Sequence, residues 1–269
     1  MNLDRDKLLS QARKLGADAA GVARAEPLIE SNSILHEPLE GIRSVIVLAV
    51  RQSFAALASP IIQVAQHDTM YAYAKVDELS HAVVRLLEDA GHAAVAVPAF
   101  LPLDMSDTLK GMSGEVDHRR AAVAAGIGTY GLNNLLITEK YGPRVRLASV
   151  LTTAAITPNR PLKKELCIEC GNCTEACPPN ALAEPGTTDK RACGRTVFTY
   201  GLRGLMRFGF TWIESDTANR AGLLKGHNMR ELWQNFMTGM YYTCFKCQAA
   251  CSVGKARPDS ERKGLCTSS

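Results

Sequence analysis

Apolar positions in the first 160 residues change period repeatedly, and the changes outline alternating helices and strands. Leu8, Leu9, Ala12 and Leu15 recur at helical spacing, Gly16 ends the run, and Ala17 to Ala23 reads as a short buried strand. Ser44 to Val50 is a continuous, β-branched apolar run, which predicts a core strand covered on both faces. Between Tyr71 and Ala90, a helical stripe of Leu79, Ala82, Val83, Leu86, Leu87 and Ala90 leads to a stop at Gly91. Ala93 to Val97 predicts another strand, closed by Pro98. His118 to Ala125 predicts a short helix entering a glycine-rich turn, after which Leu135–Thr138 and Val145–Thr152 are expected to pair across Tyr141-Gly142-Pro143. Thr157 to Lys164 reads as a linker, and Arg195 to Thr243 settles into no clear period. The expectation is a layered α/β domain over 1–160 and a cysteine-rich domain over 161–269.

Composition is that of an ordinary folded chain, with 46% hydrophobic and 22% charged residues. A net charge of +4, with both signs interleaved, argues against a nucleic-acid partner. No run approaches the ~20 apolar residues of a membrane helix. Met1 to Gly16 has neither a signal core nor a twin-arginine pair, so the sequence reads as cytoplasmic.

All nine cysteines lie at or after Cys167, an asymmetry that favours metal over disulfides in a reducing compartment. Cys167, Cys170, Cys173 and Cys177 form C-x2-C-x2-C-x3-C-P, the spacing of a bacterial ferredoxin run, in which the fourth cysteine serves the other cluster of a pair. Cys244, Cys247 and Cys251 form a second run one cysteine short, and Cys193 can supply the missing thiolate. Eight thiolates suit two [4Fe-4S] cubanes, assigned as Cys167, Cys170, Cys173 and Cys251 for one, and Cys177, Cys193, Cys244 and Cys247 for the other. Cys266 is left over as a free thiol. Zinc is the competing reading of the C-x2-C pairs, but the first run is too tight for two zinc knuckles.

The segments LGADAAGVARAEPL, IRSVIVLAV and AAVAAGIGTYGLNNLLITEKYGPRVRLASVLT, leading into CIECGNCTEACPPNAL, resemble the epoxyqueuosine reductase and reductive dehalogenase group. The resemblance covers most of the chain. It implies a nitroreductase-like layered N-terminal domain, a ferredoxin-like double-cluster domain, and a base-off cobalamin between them. Under it Gly126, Gly128 and Gly131 would let backbone approach the macrocycle, with Asn133, Asn134, Tyr141 and Arg144 as polar groups beside it. A tight helix-to-strand connection with no ligand is the alternative account of the glycines, and the resemblance favours the ligand.

The chain departs from the epoxyqueuosine reductases in three places. Their acidic Asp-Ser/Thr-Gly/Ala-Pro segment is replaced by LKGMSGEVDHRRAA, leaving Glu115, Asp117 and His118 as proton-transfer candidates. Asp117 suits a helix N-cap equally well. Their Gly-Arg-Asp-Tyr-His segment is replaced by MYAYAKVDELS, and their helical-repeat tail is missing. The insert 194–243 is expected to cover the clusters or an opening to the active site, or to make a homodimer contact. The leading expectation is a reductase that takes electrons from a low-potential donor such as a ferredoxin or flavodoxin, and passes them through the clusters to a corrinoid acting on a small organic substrate. A two-cluster electron carrier docking on a partner enzyme is the alternative, and a flavin reductase follows from fold analogy alone.

Overall fold

The computed structural model describes residues 4–30, 39–100, 116–184 and 186–254. Glu115 and Cys266 lie outside them. Helix α1, Arg5–Leu15, starts at the Asp4 cap, whose carboxylate accepts from the Asp6 and Lys7 amides, and ends at Gly16 with φ 118°. Strand β1, Ala19–Arg24, follows, then the short helix α2, Glu26–Glu30. Strand β2, Ser44–Arg51, leads through α3, Phe54–Ala58, to the 28-residue helix α4, Ile62–Asp89, and strand β3, Ala94–Val97. Helix α5, His118–Ala124, precedes the small hairpin of β4, Thr129–Tyr130, and β5, Leu136–Ile137, and then strand β6, Val145–Thr152.

The main sheet has the order β1-β2-β6-β3, with every neighbouring pair antiparallel. Seven of the eight β2 residues are buried, because both faces of the strand are covered. Ile46, Leu48 and Val50 pack with Ala148 and Val150 against α1 and α4. Val45, Val47 and Ala49 pack with Leu147 and Leu151 against α2 and α5 on the other face. Side-chain alternation along one apolar run thus feeds two cores, giving helix, sheet and helix layers.

Two expectations are corrected. Val145–Thr152 does not pair with Leu135–Thr138: it lies between β2 and β3, and β5 pairs with β4 instead. Only a Thr138–Gly142 bridge survives of the expected hairpin. Helix α4 also begins at Ile62, well before Tyr71, because Gln66 and Thr69 are buried polar residues that interrupt its apolar stripe.

The cysteine-bearing part holds α6, Asn172–Glu175, and α7, Lys190–Val197. The insert is helical, with α8, Leu202–Glu214, α9, Thr217–Lys225, and α10, His227–Thr238, before α11, Lys246–Ala250. Phe210, Ile213, Trp233 and Met237 on α8 and α10 are exposed, which is why no burial period shows in the sequence there. This part is seated on the sheet layers through polar as well as apolar contacts. Phe245 packs on Leu57 and Ala65. Gln66 Nε2 donates to the Tyr242 carbonyl at 2.9 Å, and Gln248 Nε2 to the Pro143 carbonyl at 2.9 Å. No helix among the described residues is long and apolar enough to cross a membrane.

Candidate functional site

The eight described cysteines sort into two cavities. Cys167, Cys170, Cys173 and Cys251 line a small one, with Asn133, Ile137 and Ile168. Cys177, Cys193, Cys244 and Cys247 line a second of about 330 Å³, which also reaches Arg119, Asn133, Asn134, Arg146, Phe198 and Tyr242. The local chain explains the first group. Glu169 and Gly171 both take positive φ, 50° and 74°, so the segment curls between successive cysteines before α6 carries Cys173 inward. Cys193 comes from α7, capped by Asp189, and Cys247 from α11. Among the described residues no three His, Cys, Asp or Glu side chains converge tightly enough to hold a single metal ion.

Burial, and then the neighbouring Cys244, Cys193, Cys177 and Cys173, push the Cys247 thiol up to about 12. Burial raises Cys193 too, followed by Cys244 and Cys177, and raises Cys173 and Cys251. Thiols gathered in this way resist ionising together without a cationic centre, and metal ligation supplies one. Ala181 N–H donates to Cys177 Sγ at 3.3 Å.

The remaining candidates are distributed differently from expectation. Asp117 is the N-cap of α5: its Oδ1 accepts from the Arg119 and Arg120 amides at 3.1 and 3.2 Å. Its carboxylate oxygen Oδ1 is therefore engaged as the helix cap, the alternative the sequence offered for this residue. His118 has Nε2 3.0 Å from the Pro98 carbonyl and Nδ1 2.9 Å from Ser149 Oγ. A carbonyl only accepts, so Nε2 carries a proton, and the ring ties α5 to β6 through Ser149.

The three glycines are required by the chain's own packing. A Cβ at Gly126 would meet the Arg160 carbonyl oxygen at 2.4 Å, one at Gly128 the Ile137 carbonyl oxygen at 2.2 Å, and one at Gly131 the Ile137 side chain at 2.7 Å. The ligand-free account of the turn explains them without a macrocycle. Arg144 is 2% exposed and donates to the carbonyls of Gln248 at 3.0 Å, Cys251 at 3.1 Å and Val253. It holds the end of α11 and the Cys251 segment. Tyr141 donates to Asp18 at 3.1 Å and lines, with Arg144, a separate cleft of about 990 Å³. Of the expected polar groups, only Asn133 and Asn134 reach the cysteine cavities.

Sequence reasoning singled out neither Arg146 nor Phe100. The Arg146 guanidinium lies 5.1 Å from the Tyr73 ring centre and 5.5 Å from that of Tyr242. Tyr73 stacks on Phe100 at 4.9 Å, and its hydroxyl is 3.3 Å from that of Tyr242. Burial, followed by Tyr73, raises the Tyr242 phenol well above its ordinary range, so it stays protonated. Arg146 Nε and Asn133 Nδ2 are buried without a hydrogen-bond partner among the described residues. A basic residue alternating with apolar ones along VRLASVLT was the available signal for Arg146.

Residues 161–183 match the 4Fe-4S binding domain model. The tetrachloroethene reductive dehalogenase of Dehalobacter restrictus is 30% identical over 183 residues, covering 67% of this chain and 29% of that protein. The epoxyqueuosine reductase of Gloeobacter violaceus is 31% identical over 216 residues, covering 70% of this chain and 63% of that protein. The chain is a homologue of both groups. It spans less than two thirds of the length of either of these relatives. Among solved structures, an epoxyqueuosine reductase with an epoxyqueuosine-modified tRNA stem loop shares the fold at TM-score 0.55 and 20% identity, covering 93% of this chain and 65% of that one. A reductive dehalogenase, described with a mechanism for B12-dependent dehalogenation, shares it at TM-score 0.56 and 20% identity, covering 86% and 36%. The homology joins the mixed α/β layers to the 4Fe-4S segment within one fold.

Proposed function

We propose that the protein is an iron–sulfur reductase with a [4Fe-4S] cluster in each cysteine cavity and a corrinoid against the cavity of Cys177, Cys193, Cys244 and Cys247. A ferredoxin or flavodoxin would supply low-potential electrons, and a small organic molecule would be reduced. The observation that carries this reading is the sorting of eight cysteines into two groups of four, each drawn from both cysteine-rich segments. The clusters supply one-electron transfer, and the corrinoid a cobalt centre to receive the electrons.

The donor chemistry suits a ligand rich in carbonyl oxygens. Arg146 keeps a buried Nε–H without a partner among the described residues, and Arg119 and Asn134 share its cavity. A volume of about 330 Å³ is at the small end of ligand pockets, so these walls meet an edge of a corrinoid and do not enclose it. Tyr242, held protonated by burial beside Tyr73, is a proton-holding group in the lining of this cavity. The mutual contacts of Tyr73, Phe100 and Tyr242 favour a second reading, a two-cluster electron carrier whose aromatic side chains close this face.

Anaerobic reconstitution with iron, sulfide and cobalamin tests both. About eight irons and about one cobalt per chain are expected. Full iron without cobalt would leave the electron carrier, and about four irons would remove the two-cluster assignment. In Cys193→Ser, iron should fall from about eight to about four, with the Cys251 cluster retained.

A further inference from the structure

We propose that the side-chain amide of Asn133 donates a hydrogen bond to cluster sulfur between the two cages and raises the reduction potential of the cluster it touches. The inference rests on the two-cluster reading above. It starts from the hairpin of β4 and β5. Tyr130 pairs with Leu136, and the tip closes with Gly131 N–H on the Leu135 carbonyl at 3.0 Å and Asn134 N–H on the Gly131 carbonyl at 2.8 Å. Asn134 turns the chain at φ 54°. This tip delivers Asn133 to the wall shared by the two cavities, so that it lines both cysteine groups.

Asn133 is 4% exposed. Its Oδ1 accepts from Leu135 N–H at 3.2 Å, and because a backbone N–H can only donate, that bond fixes which end of the amide is oxygen. Nδ2 must then point the other way. It is buried and has no hydrogen-bond partner among the described residues. A buried donor left unpaired is destabilising, and the acceptors that eight surrounding cysteines imply are thiolate and sulfide sulfur. A donor to cluster sulfur stabilises the more negative, reduced state, so it raises the potential. A residue lining both cages is placed to set the difference between them, and hence the direction of electron flow.

The test uses the full chain reconstituted anaerobically, with iron counted first. With asparagine 15N-labelled at its side chains, pulsed EPR of the reduced wild-type protein should show a nitrogen coupling that Asn133→Ser abolishes. Ser keeps an acceptor within reach of Leu135 N–H while removing the amide nitrogen, and Leu removes every side-chain donor. EPR-monitored redox titration of Asn133→Ser and Asn133→Leu should show at least one cluster shifted to more negative potential at unchanged iron content. Full iron with no coupling in the wild type, or with unchanged potentials in both variants, would overturn this inference alone. Iron well below about eight in the wild-type protein would overturn the cluster reading and this inference together.

Discussion

Arg144 concentrates more of the C-terminal architecture than any other single side chain described above. Its guanidinium satisfies the carbonyls of Gln248, Cys251 and Val253 from a fully buried position on the sheet side. Arg144→Met removes charge-assisted bonds and leaves buried acceptors, so a loss of ~3 kcal/mol or more in urea unfolding is expected. Iron analysis of the same variant should show the Cys251 cage emptied before the other. Asp117 makes a smaller, sharper prediction. Asp117→Ala should cost ~1 kcal/mol and Asp117→Ser only a few tenths, both read from denaturation midpoints, because serine also caps helices. At this scale the sequence made the caps and cysteines legible, since cap chemistry and ligand spacing are local. The bonds of Arg144 to Gln248 and Cys251 were not legible, because these partners lie more than 100 residues away.

The elements show the same division between local and distant causes. The apolar run of β2 announced a strand buried on both faces, and the structure places two cores there. The place of β6 between β2 and β3 was not legible, because turn residues suggested a nearer partner and only the assembled sheet selects the farther ones. Helix α4 lost its first turns in the sequence reading because Thr69, buried, donates to the Ala65 carbonyl at 2.7 Å and receives Gln52 Nε2 at 2.7 Å. The hairpin of β4 and β5 offers a test of the packing role of its glycines. Gly128→Ala places a methyl group 2.2 Å from the Ile137 carbonyl oxygen, so destabilisation of ~1–3 kcal/mol or more is expected even without any cofactor present. Equal stability of wild type and variant in the apo form would return that glycine to a ligand role.

For the whole molecule, the sheet layers carry their own two cores, whereas the cysteine-bearing part encloses two thiol-lined cavities and exposes apolar residues on α8 and α10. Stripping iron with an anaerobic chelator should therefore abolish hydrogen-exchange protection across 167–254 while α1, α4 and the four-stranded sheet stay protected. Uniform loss of protection would show instead that the layers depend on the clusters. The division was partly visible in the thiol-free first 166 residues, but the seam between the parts was not, because it is made of single residues such as Gln66 and Gln248. Each cavity takes cysteines from both ends of the second part, Cys173 meeting Cys251 and Cys177 meeting Cys244 and Cys247. A ribosome adding ~5–20 residues per second reaches Cys244, Cys247 and Cys251 some seconds after Cys177. Under the proposed two-cluster reading the nascent chain carries unshared thiols through that interval, and cluster assembly would wait until the second cysteine-rich segment has left the ribosome.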